Sequence, residues 1–365
     1  MMIPRLASFG LPSLGHRVAA ALAAVGLAAG VATPAVAVPE VPATGSVAGE
    51  ARSGEVLDWT GMGPHVAPTD NVVASMAAQA KYTNPSPINT NVECTPAPGE
   101  NPVIFIHGMS ANFYQTYASF APYIAAQGKC VYGMNYGAFN GAEGTEGSSL
   151  AGSIPGADAL APLDSSLAEV TEQIERVKKN TGATEVDLVG YSEGGTLAAA
   201  YTKNVGGKGV GTVVTLAGVL RGTSMLGLST VVNGLNNAGS SVDSVIDKVV
   251  GPGARDLLEH SEFMVGLREG GIEVPGVRYV AISTLFDEAA TPLSHSQFSG
   301  GDHRNIVLQE GCVQDRSDHL GITFSPRAYA LTANALGRNV EVPCTAMAGP
   351  LPVGASAVGS TQLSS

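Results

Sequence analysis

At 365 residues, 44% of them hydrophobic and 14% charged, the chain can build a large buried core, which excludes wholesale disorder. That length suits one α/β domain with extra ends as well as two average domains. The net charge of −12 disfavours nucleic acid or an anionic membrane as a standing partner.

Arg5 and Arg17 precede a low-charge stretch, Val18 to Ala37, that ends in Ala35-Val36-Ala37. This small-x-small ending predicts an export signal over residues 1–37, cleaved after Ala37, and hence a secreted protein. A membrane anchor is the alternative, opposed by the glycines and Pro34 in the stretch. Residues 38–80 are rich in Pro, Gly, Ala and Thr and lack sustained periodicity, so a linker or loosely packed arm is expected there, with Trp59 packing on the core.

The core is expected over residues 81–344. Val103 to Ile106 is a compact apolar run suited to a strand buried on both faces. The spacing from Tyr114 to Gln127 predicts one helix stopped by Gly128, and Cys130 to Met134 the next strand. Ser166-Leu167-Ala168-Glu169 has the capping-box pattern and predicts a helix start, running to about Asn180. Strand at Val186–Val189, helix at Thr196–Lys203 and strand at Thr212–Leu216 follow. The last strands are expected at Val277–Ser283 and Asn305–Leu308, and a final helix from Ser325-Pro326 to Gly337. This alternation predicts a mainly parallel sheet with helices on both faces. Residues 219–271 break the rhythm with irregular Gly/Ser-rich clusters and no strand, which predicts an inserted lid or cap. Residues 345–365 are expected to form a flexible tail.

Export makes Cys94, Cys130, Cys312 and Cys344 informative: an even set, widely spaced, without a CxxC pair. Four cysteines allow three pairings. Cys94–Cys130 with Cys312–Cys344 is favoured, because each bridge then clamps one end of the core.

Gly190-Tyr191-Ser192-Glu193-Gly194 matches G-x-S-x-G, and a predicted strand before it and helix after it supply the context of a nucleophile elbow in an α/β-hydrolase fold. The turn is so tight that Ser192 must be strained, and the two glycines remove side chains that would collide across it. A serine hydroxyl needs a base, and the base needs a carboxylate to orient it; in this fold the order is nucleophile, acid, histidine. His16 lies in the signal, while His65 and His107 precede the serine. His260 falls in the inserted segment, His295 too soon after the preceding strand, and His303 just before the last strand, at the wrong end of the sheet. His319, after that strand, remains as the base. Asp287 follows the strand at Tyr279–Ser283 and is the preferred acid over Glu288, with Asp318 a local turn or helper carboxylate. The oxyanion donors are expected to be the N–H groups of Glu193 and Met109, with His107 fixing the loop that carries Met109. No zinc-ligand spacing, dinucleotide fingerprint or P-loop is present, so no metal and no cofactor is expected.

The stretches Val103-Ile104-Phe105-Ile106-His107-Gly108, Phe120 to Gly128, Asn135-Tyr136-Gly137, Val186 to Ser192, Ala281-Ile282-Ser283 with Asp287, and Asp318-His319-Leu320-Gly321 together resemble the secreted class 2 lipases of Gram-positive bacteria, especially the actinobacterial branch. The resemblance implies a triacylglycerol lipase or carboxylesterase with Ser192, Asp287 and His319 as triad, and it supports the Cys94–Cys130 pairing. It departs from the family at Glu193, where elbows often carry Gln; an ionised Glu there would oppose the oxyanion, so the side chain is expected to point away or be neutralised by a partner. A lipid or ester is the expected substrate, with transient contact at a lipid interface and a monomeric state. The competing expectations are an acyltransferase on cell-envelope lipids with the same triad, and a catalytically silent binding module.

Overall fold

The computed structural model describes residues 54–223 and 242–348. The expected export signal, the start of the arm and most of the tail lie outside the described residues. From residue 54 the arm is packed rather than loose. Strand β1 (His65–Val66) pairs in parallel with β2 (Ser86–Pro87), and helix α1 (Val72–Gln79) is capped by the Asn71 side chain. Long-range partners hold this segment: Tyr114 Oη donates to Ala67 O at 2.6 Å, and Asn91 Nδ2 donates to Gly133 O at 2.7 Å. Trp59 lies 5.7 Å from the Tyr132 ring.

Six parallel strands form the central sheet among the described residues: β3 (Val103–Ile106), β4 (Val131–Gly133), β5 (Val186–Tyr191), β6 (Val210–Leu216), β7 (Arg278–Ser283) and β8 (Asp302–Val307). Their spatial order is β4-β3-β5-β6-β7-β8. Strand β8 starts three residues earlier than its apolar run, so His303 lies within it and pairs with Tyr279. Asp302, His303 and Arg304 are exposed, as suits the polar end of an edge strand.

Alternate residues of each strand serve opposite faces. Ile104, Leu188, Val213 and Tyr279 pack under α4 (Leu163–Thr181) and α5 (Glu193–Asn204), against Val170, Ile174 and Leu197. Val103, Val189, Val214 and Val280 face α2 (Phe113–Tyr117), α3 (Phe120–Ala126) and α9 (Pro326–Ala335), against Phe113, Phe120 and Tyr329. Both faces are therefore apolar, which is why these strands read as continuous hydrophobic runs.

Two expected boundaries need correction. The helix expected over Tyr114–Gln127 is two helices, α2 and α3, separated at Ala118-Ser119; Ser119 Oγ is drawn away to Thr69 O at 2.5 Å. The expected capping box does not form. Helix α4 starts at Leu163, Ser166 is buried inside its first turns with its hydroxyl unpartnered, and Glu169 instead accepts from Gly137 N at 3.1 Å.

Between β6 and β7, the described residues hold α6 (Val242–Val249), α7 (Pro252–Asp256) and α8 (Glu262–Arg268) and no named strand. Cys94 pairs with Cys130 and Cys312 with Cys344, at Cα separations of 5.6 and 5.3 Å.

Candidate active site

Ser192 sits between the end of β5 and the start of α5, with φ +52° and ψ −118°. This backbone region is strained for a side-chain-bearing residue, and close packing imposes it. A Cβ at Gly190 would stand 2.3 Å from Gly194 O, and one at Gly194 would stand 2.1 Å from Ile106 O. Only glycine lets strand, helix and neighbouring strand approach this closely.

The hydroxyl meets His319 Nε2 at 2.9 Å, and His319 Nδ1 meets Asp287 Oδ1 at 2.9 Å. The carboxylate requires a proton on Nδ1, which leaves Nε2 to accept from the serine hydroxyl. All three side chains project at the carboxyl-terminal rim, Ser192 following β5, Asp287 following β7 and His319 following β8. Asp287 Oδ1 also accepts from Ala289 N and Ala290 N at 2.8 and 2.7 Å. Burial works to raise the Asp287 carboxyl, but His319 and those two N–H groups outweigh it and hold its pKa below the usual value. Burial likewise works to lower His319, yet the charge and hydrogen bond of Asp287 hold its pKa above the ordinary value.

Glu288, the alternative acid, reaches the backbone rather than the imidazole: its Oε2 accepts from His319 N at 3.3 Å. Asp318 Oδ1 accepts from Gly321 N at 2.8 Å and shapes the turn after the histidine. Burial and the nearby Glu288 carboxylate push Asp318 up to about 7.

The loop after β3 lies across Ser192, since a Cβ at Gly108 would meet the Tyr191 ring at 2.7 Å and Ser192 Cβ at 3.2 Å. Neither Met109 N–H nor Glu193 N–H finds an acceptor among the described residues, and the latter opens the first turn of α5. Free backbone donors at a helix start can take up developing negative charge. His107 donates from Nδ1 to Gly108 O at 2.9 Å and stacks on Tyr136, ring centroids 4.3 Å apart. Burial pulls its pKa down to about 4, so the ring is neutral.

Glu193 is fully buried and has no cationic partner, contrary to one of the two expectations for it. Neither carboxyl oxygen has a hydrogen bond of good geometry among the described residues; the Tyr136 hydroxyl works to lower its pKa, but burial outweighs it and pushes the group well above the usual carboxylate range. Of the remaining histidines, His65 bonds Thr90 O, His295 bonds Gly222 O and His303 bonds Gly300 O. No group of three or more His, Cys, Asp or Glu side chains among the described residues could hold a metal ion.

Sequence reasoning missed the residues that join the acid loop to the base loop. Gln309, just past β8, accepts from Leu285 N at 2.9 Å and donates to Asp315 O at 2.7 Å. Thr284 Oγ1 donates to Ser317 O at 2.5 Å. Asp315 in turn accepts from Ser317 Oγ at 2.6 Å and from Ser325 Oγ at 2.6 Å. A polar residue directly beyond the carboxyl end of a strand, flanking the expected histidine, was the available signal.

Residues 100–328 match the family model described as class 2 lipase. No curated protein matches the chain. Among solved structures, the chain is similar to the mature form of the Bacillus licheniformis lipase BlEst2, at 14% identity over 66% of this chain and 94% of that one, with a TM-score of 0.44. It is also similar to a monoacylglycerol lipase of Paleococcus ferrophilus (14% identity, 59% and 86% covered, TM-score 0.38). The esterase RhEst1 from Rhodococcus sp. matches at 14% identity over 66% and 92%, with a TM-score of 0.37.

Proposed function

The chain belongs to the class 2 lipase family and is a carboxylic ester hydrolase, and from that premise we propose that it cleaves ester bonds of lipids through an acyl-enzyme on Ser192. His319 Nε2 takes the hydroxyl proton as Ser192 attacks the ester carbonyl. Asp287 keeps the imidazole in the required tautomer and stabilises the cation that forms. The N–H groups of Met109 and Glu193 receive the oxyanion of the tetrahedral intermediate; losing either donor costs about 10²–10³ in turnover. His319 then protonates the departing alcohol, and a water activated by the same nitrogen releases the acid. The observation that carries this reading is the unbroken pair of 2.9 Å hydrogen bonds from Ser192 through His319 to Asp287.

Exposed Leu285, Phe286 and Leu320 flank the acid and the base and support transient contact of this rim with a lipid interface. Part of the expected cap, residues 224–241, lies outside the described residues; the cap reading is supported by the start of the segment beside the elbow, where Val219 N donates to Ser192 O at 3.2 Å. Cleavage after Ala37 and secretion are supported by the Ala35-Val36-Ala37 pattern and by two disulfides, which persist in oxidising compartments.

The test is hydrolysis of p-nitrophenyl butyrate and palmitate by the wild type and Ser192→Ala. Wild type hydrolyses ester and is labelled by a phosphonate probe; the variant does neither. Full activity in Ser192→Ala would remove the mechanism. The ratio of the two substrates separates short-chain esterase from long-chain lipase.

A further inference from the structure

The carboxyl of Glu193 is the one buried acid next to the nucleophile that the mechanism above does not use. The side chain is fully buried, and neither of its oxygens has a hydrogen bond of good geometry among the described residues; the nearby Tyr136 hydroxyl only partly offsets the effect of burial. The groups facing it offer no positive charge. From the segment after β4, Tyr136 presents its hydroxyl, but that proton is committed to His107 O at 2.8 Å. From α7, Asp256 acts on it as a second acid. From α4, Glu169 acts on the same Tyr136 and is itself tied to Gly137 N. His107, stacked on Tyr136, is neutral, and its Nε2 also lacks a partner. The start of α5 cannot withdraw, because Gly194 is packed against the carbonyls of Ile106 and His107.

We propose that Glu193 is a positioning residue that works as a proton-bearing, neutral carboxylic acid, holding its own backbone N–H toward the oxyanion, and that ionising it disables the site. An ionised carboxylate here would be an uncompensated buried charge, which is costlier than the neutral acid. It would also consume the positive potential of the α5 amino end that the oxyanion requires. Kept neutral, the side chain fills the same space while that potential remains free. The inference rests on the oxyanion reading above.

The test compares the wild type with Glu193→Gln, which keeps the shape and removes the titration. A raised acid favours the unfolded state as pH climbs above the unfolded value of 4.5 and until the folded group ionises. The folding equilibrium constant of the wild type relative to Glu193→Gln should therefore fall by about tenfold per pH unit across that interval. Hydrolysis of tributyrin, followed in a pH-stat and read for each protein relative to its own maximum, should fall away on the alkaline side at a lower pH in the wild type than in Glu193→Gln. Wild type labelled with ¹³C-glutamate should also show the infrared carbonyl band of a protonated glutamic acid at a pH above the usual carboxylate range, a readout independent of whether the variant folds. A stability difference that does not change with pH, or absence of that band, overturns the proposal. Phosphonate labelling of Ser192 in both proteins keeps the two readings separable: labelling with no pH-dependent difference refutes only the role of Glu193.

Discussion

Replacing Gly194 by alanine tests the steric basis of the elbow. The added Cβ would stand 2.1 Å from Ile106 O, 2.7 Å from Ile106 C and 2.5 Å from His107 O, all backbone atoms of β3 and the loop after it. Ordinary contact begins near 3.4 Å, so helix and strand must separate by about 1.3 Å, the difference between 3.4 and 2.1 Å. Overpacking of this kind costs about 1–3 kcal/mol. The displaced segment leads directly to Met109, so the separation also moves the N–H proposed as one oxyanion donor. A donor misplaced by about 1 Å costs on the order of 10²-fold in rate. Thermal unfolding and p-nitrophenyl butyrate kinetics should together show a folded, less stable protein whose kcat falls by about two orders of magnitude with KM little changed. A folded Gly194→Ala enzyme with wild-type kcat would refute the reasoning, because the close approach would then set neither geometry nor rate.

Asp287→Asn should lower kcat by about 10⁴ while leaving the fold intact. Asp287 holds the His319 pKa above its ordinary value, and the base works in its neutral form, so activity rises as pH passes upward through that pKa. Removing the carboxylate should move this acid limb to lower pH as the plateau falls, visible in a kcat/KM profile; an unmoved limb would contradict the coupling. Gln309→Ala leaves Leu285 N–H without its acceptor and removes one of the links between the two loops, the Thr284–Ser317 bond remaining. It should cost about 1–3 kcal/mol in an unfolding titration, with a larger loss in kcat than in KM. Equal losses in both would show that the residue does not align the acid with the base.

The sheet was legible because its strands are buried on both faces and so appear as unbroken apolar runs, as at Val103–Ile106 and Val186–Val189. The elbow was legible because its glycines answer a local steric demand. His319 emerged from the fold's strand logic rather than from its neighbours. Most of what escaped has a common cause in long-range contacts. The break at Ala118-Ser119 does have a local sign in Pro122, whose ring excludes a helical carbonyl four residues earlier at Ala118, while the Ser119 hydroxyl is taken by Thr69, fifty residues away. Ser166 and Glu169 carry a local capping signal that tertiary demands override, since the amide of Gly137 takes the carboxylate. The packing of residues 54–92 depends on partners such as Gly133, beyond the reach of composition. The state of Glu193 depends on burial from several elements at once.

The segment after α9 returns alongside the loop that carries His319: Cys344 is bonded to Cys312, Met347 N donates to Gln314 O and Arg316 N donates to Met347 O. Tension applied through the chain beyond this point meets the Met347 hydrogen bonds first, and once they yield the covalent link to Cys312 takes the load ahead of the loop that carries His319. An enzyme tethered to a bead or a resin through residues past 348 should therefore keep its turnover at loads that break the Met347 hydrogen bonds but not the disulfide, and reduction of that disulfide should abolish the protection.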